Sequence, residues 1–150
     1  MRATYLWLAR IIALLVVVQA MTIVWAVSGL FNWVTEKGGS LDASVVKGWD
    51  DTPPTFTGAF GHFLHAEMGE KLIPALALLL LIVSFFAKVS KGVAIAAALL
   101  VLVILQVLAG QNSQHIPYLG LWHGLGAFLI FGAAMAAAMK AKEAPVVAPA

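Results

Sequence analysis

Apolar residues fall in four long blocks along the chain, separated by short polar stretches. The first, Ile11 to Phe31, is 21 residues without a charge and follows Arg10 directly. At 1.5 Å per residue, such a run covers the roughly 30 Å hydrocarbon core of a bilayer. The second block begins near Phe60 and ends at Ala87. Its purely apolar part, Leu72 to Ala87, is 16 residues, and the turns before it hold His62, His65, Glu67, Glu70 and Lys71. The third, Gly92 to Gly110, is interrupted only by Gln106, and the fourth, Leu119 to Met139, has His123 near its start. Helices solvated by lipid need no polar face, and these runs show none. The pattern predicts an all-α fold, a four-helix transmembrane bundle over residues 1–143 with helices at about 8–31, 58–87, 92–110 and 119–141. Residues 144–150 read as a small disordered tail. No internal repeat carries a recognisable motif.

Composition sharpens this into a membrane protein. Of 150 residues, 62% are hydrophobic and 11% charged, against about 45–50% and 25% in a soluble domain. Cysteine is absent, which excludes disulfides, iron–sulfur clusters, thiolate metal sites and cysteine nucleophiles. Nothing resembles a nucleotide or nucleic-acid site, so the expected surroundings are a lipid bilayer and no nucleic acid.

Charge placement predicts orientation. Arg2, Arg10, Lys88, Lys91, Lys140 and Lys142 all fall on one side of a four-span chain, against Lys37, Lys47 and Lys71 on the other. Basic residues gather on the cytoplasmic face, so both termini are expected there, in the inner membrane of a bacterial cell. The first block also admits a signal-peptide reading, with Ala26-Val27-Ser28 as the cleavage site. Its apolar run is, however, longer than such a segment requires. The one long connection, about Asn32 to Thr57, carries Trp33, Trp49, Asp50, Asp51, Pro53 and Pro54. It is either a lid or docking surface or an interfacial loop with its tryptophans at headgroup level.

The candidate chemistry lies in the four histidines, all toward the outer side: His62, His65, His115 and His123. Ionisable groups in spanning helices are costly and usually face the bundle interior, and imidazole is the common axial ligand of protein-bound heme. A bis-histidine heme needs one ring from each of two facing helices at like depth. His65 stands 23 residues before Lys88 and His123 19 before Lys142, or about 34 Å and 28 Å of helix. A tilt, or a bend at Pro74, absorbs the difference of about one turn. His65 and His123 are therefore the expected iron ligands, with His62 one turn outside and His115 in the outer loop as lesser contacts. Gly69, four residues after His65, and Gly120, Ala127 and Ala134, on the face of His123, leave room for a porphyrin or for close helix packing. The competing reading has the histidines bonded among themselves and to the loop. Glu67 is expected to pair with Lys71 at i,i+4, and Gln106 to form a helix–helix hydrogen bond.

The stretch Leu105-Gln106-Val107-Leu108-Ala109-Gly110, a short loop, and His123 opening a helix together resemble one half of heme A synthase. That family is built of two similar four-helix bundles, each binding heme through histidines near the outer ends of its second and fourth helices. The resemblance covers roughly residues 58 to 140 and implies heme binding at His65 and His123. Where the family usually has a glutamate three residues before the first of these and an arginine after it, this chain has His62 and Ala66. With a single half present, the resemblance implies the heme-holding architecture and not the oxidation of a heme methyl group. The chain is also similar to a bacterial family of small four-helix membrane proteins without assigned function. The expected function is that of a small b-type cytochrome, with heme b as cofactor and a quinol or a larger redox membrane complex as partner. A heme-free accessory subunit of a larger membrane complex is the alternative. A third reading is an enzyme using Glu67, Glu70 or His62 as acid or base.

Overall fold

The computed structural model describes residues 1–50, 52 and 54–143. Asp51, Pro53 and the tail expected at 144–150 lie outside the described residues. All regular structure among the described residues is helical: α1 (Arg2–Glu36), α2 (Ala43–Lys47), a 3₁₀ turn (Gly48–Asp50), α3 (Ala59–Glu67), a π turn (Met68–Leu72), α4 (Ile73–Ala87), α5 (Gly92–Asn112) and α6 (Tyr118–Lys142). Four helical spans, Arg2–Glu36, Ala59–Ala87, Gly92–Asn112 and Tyr118–Lys142, are long and apolar enough to cross a membrane. This is the make-up of a multi-pass membrane protein. Phe85, Phe86, Leu121 and Phe128 all stand exposed on these spans, as apolar side chains can when the surrounding solvent is lipid.

The helices run longer than the apolar blocks that announce them. With 35 residues, α1 extends for about 52 Å, more than the roughly 40–45 Å of a bilayer with its headgroups. Polar residues at its two ends simply continue the helix. The second span is one helical run in which Met68–Leu72 winds as a π turn, just ahead of Pro74 in the first turn of α4. Proline has no N–H to give the carbonyl four residues back, and the wider turn accommodates that gap.

The chain divides into two compact units. One comprises Met1–Val17 together with the described residues from Gly69 on. Its core repeats at three- and four-residue steps: Tyr5, Leu8, Ala9, Ile12 on α1; Ala77, Leu80, Ser84, Ala87 on α4; Ala96, Leu99, Val103 on α5; Ile130, Ala134, Ala137, Ala141 on α6. Alanine dominates this seam because lipid gives little hydrophobic reason for helices to associate, and small residues let backbones approach. One end is stapled by α1: the buried Tyr5 hydroxyl donates to the Gly92 carbonyl (3.1 Å), and Arg2 Nε donates to that of Ala141 (2.8 Å). Lys88 and Lys91, flanking the α4–α5 turn, both take the left-handed conformation (φ 52° and 56°). Arg2, Lys88, Lys91, Lys140 and Lys142 thus gather at this one end.

The second unit is Val18–Met68. Where the chain turns into α3 it runs against α1. A Cβ on Gly58 (φ 98°) would lie 2.6 Å from the Trp25 carbonyl oxygen, and one on Gly29 would collide with that of Thr57. Trp33 at the end of α1 stacks on Phe56 (centroids 5.9 Å apart), and Trp49 tilts against the same ring (6.1 Å). The segment predicted as a bare loop therefore contains the last turn of α1, α2 and an aromatic cluster.

Candidate functional site: two histidine rings held by helix carbonyls

Each predicted iron ligand is gripped in the same way. On α3, the half-buried His65 donates its Nδ1–H to the backbone carbonyl of Gln19 on α1, at 3.0 Å. On α6, the half-buried His123 donates its Nδ1–H to the backbone carbonyl of Gln106 on α5, also at 3.0 Å. A carbonyl oxygen can only accept, so in each ring Nδ1 carries a proton. Metal-ligating histidines show this pattern: the second nitrogen is tied to an outer acceptor, which fixes tautomer and ring orientation.

The surroundings of each ring follow from its helix pair. The Gln19 carbonyl also accepts from the buried Thr22 hydroxyl, at 3.0 Å. On the other pair, Gln106 Nε2 donates to the His123 carbonyl at 2.7 Å, so Gln106 and His123 are bonded twice in opposite directions. The ring of His123 rests on Gly110, where a Cβ would lie 2.8 Å from Cε1 and 2.9 Å from Nδ1. Gln19 Nε2 and Gln106 Oε1 are buried with no hydrogen-bond partner among the described residues, a deficit of about 1–3 kcal/mol each in an apolar interior. Both residues are glutamines, each on the helix paired with a histidine-bearing one. Gln106 is visible from sequence as a helix–helix bond, whereas Gln19 is lost in the uncharged run of the first block. The signal that could have found it is a lone amide deep in an apolar span, set like Gln106 on the span ahead of a histidine-bearing one.

The other predicted residues are placed as follows. His62, three residues before His65, is exposed. His115 is exposed in the turn after α5, its N–H donating to the Asn112 carbonyl at 3.1 Å. Gly69, in the π turn, and Ala127, four residues after His123, are half-buried. Gly120 is exposed, with open space around it, and Ala134 is fully buried in the helix seam. Among the described residues no group of three or more His, Cys, Asp or Glu side chains could hold a metal ion. A heme asks for less, since the porphyrin supplies four of the six iron ligands and the protein two.

A concavity of about 360 Å³ lies in the loop region, lined by Trp33, Ser44, Val45, Trp49, Thr52 and Thr55 among others. Among the described residues it offers indole faces and hydroxyls, which are suited to stacking. Beside it Asp42 caps α2, accepting from the Ser44 hydroxyl (2.5 Å) and from the N–H groups of Ser44 and Val45 (2.8 and 3.0 Å). The Ser44 hydroxyl foremost, with those two N–H groups, holds its carboxyl below the ordinary range. No protein-family model, curated protein or solved structure matches the chain.

Proposed function

We propose that this chain is a small b-type cytochrome of a bacterial inner membrane, with both termini cytoplasmic and one heme b held by His65 and His123. The observation that carries the reading is the pair of half-buried rings, each with Nδ1–H fixed on a helix carbonyl at 3.0 Å. The gathering of Arg2, Lys88, Lys91, Lys140 and Lys142 at one end supports the orientation.

A bis-histidine heme exchanges one electron without opening a coordination position. Its protein therefore serves as a carrier between a quinol, or a membrane partner, and an acceptor. His65 and His123 would bind the iron; Gln19 and Gln106 would orient their rings through their carbonyls; Gly69 and Ala127, being small, would leave space beside the ligands. The resemblance to half of heme A synthase points the same way.

The test is the spectrum of the purified protein, air-oxidised and then reduced with dithionite. A red protein with sharp reduced bands, lost in His65→Ala and in His123→Ala, is expected. A colourless protein overturns the reading and leaves a heme-free accessory subunit in its place.

A further inference from the structure

The α5–α6 pair carries a contact more specific than ligation alone requires. Gln106 and Gly110 are four residues apart on α5, and His123 and Gly126 are three apart on α6, so each pair shares a helix face. His123 fits onto Gly110, and the Gln106 amide fits onto Gly126, where a Cβ would lie 2.1 Å from Oε1. Each helix thus supplies one side chain and one gap. The two side chains are tied by bonds of opposite direction, His123 Nδ1–H to the Gln106 carbonyl at 3.0 Å and Gln106 Nε2–H to the His123 carbonyl at 2.7 Å. Turning the ring breaks the first bond, and sliding either helix breaks both.

We propose that Gln106, Gly110 and Gly126 are positioning residues that hold the His123 imidazole in its Nδ1–H tautomer and fix its ring plane. A neutral imidazole has two tautomers, and only the one with its proton on Nδ1 presents Nε2 to a metal. A methyl group at residue 110 would push the ring off the Gln106 carbonyl and release that choice. The consequence for iron rests on the cytochrome reading; the tautomer itself does not.

The experiment is nitrogen NMR of protein labelled with ¹⁵N at histidine, which reads ring protonation with or without heme, beside heme retention and midpoint potential. Wild type is expected to show His123 as a single Nδ1–H tautomer, and Gly110→Ala to show a mixture with heme affinity lowered at least about tenfold. Gly124→Ala, next to His123 on α6 and with open space around it, serves as the control and is expected to change neither. Should Gly110→Ala fail to fold, Gln106→Leu keeps the carbonyl and loses the amide donor; a broadened His123 signal and a shifted potential are expected. An unchanged single tautomer in Gly110→Ala, or an unshifted signal and potential in Gln106→Leu, overturns the proposal. A protein that takes up no heme but loses the tautomer in Gly110→Ala sinks the cytochrome reading and leaves this one standing.

Discussion

At the scale of single residues, the four histidines separate by environment. His65 and His123 are half-buried and tied through Nδ1, while His62 and His115 are exposed. On the cytochrome reading only the first two would bind iron, so His115→Ala should leave the reduced spectrum nearly intact. His62 sits one turn from His65, where a heme carboxylate needs a donor or a positive charge nearby. His62→Ala is therefore expected to keep the heme and shift its midpoint potential, as read by redox titration. Loss of the heme in His62→Ala would make His62 the iron ligand. An unshifted potential with reduction by quinol abolished would instead assign His62 to a quinol site. Sequence spacing made His65 and His123 legible as a candidate pair, because histidine is rare and conspicuous in apolar spans. It could not show what grips the rings. The acceptors are backbone carbonyls, which every residue owns and no letter of the sequence marks.

At the scale of elements, the four spans were legible because lipid-facing helices write their length directly as apolar run length. Three of them also end within two residues of the sequence reading, and α1 is the one that runs well past it. α1 continues to Glu36, since Trp33, Thr35 and Glu36 are compatible with a helix that protrudes from the apolar layer. The π turn at Met68–Leu72 was also invisible, because it depends on how Pro74 is accommodated rather than on any polar pattern. The turn has a consequence for α3. Pro74→Ala restores an N–H able to reach the Glu70 carbonyl, which favours closing the π turn into an α turn. Removing that extra residue would rotate Ala59–Glu67 by about 100° about its axis and carry His65 away from the Gln19 carbonyl. Heme retention in Pro74→Ala should fall severalfold while helix content by circular dichroism stays constant. Full retention would show that the π turn does not set the direction of His65.

At the scale of the whole molecule, the proposed topology can be read from labelling. Single cysteines at Lys47→Cys and Glu143→Cys, each otherwise in a cysteine-free chain, should react differently with a membrane-impermeant thiol reagent on intact cells. Residue 47 should label and residue 143 should not; the reverse result would invert the protein. On the cytochrome reading, the grip on the rings also has a consequence for how an electron would arrive. A carboxylate partner could take up or share the ring proton as iron changes valence, but a backbone carbonyl does not titrate. Electron arrival at iron held by His65 and His123 would therefore be uncoupled from protonation of either ligand. The midpoint potential should vary by much less than roughly 59 mV per pH unit, the slope of one proton per electron, between about pH 6 and pH 9. A full slope would mean that a titrating group, at a ring or at a heme carboxylate beside His62, is coupled to the iron. In the uncoupled case the protein would pass electrons without carrying protons, and its redox poise would be set independently of the acidity around it.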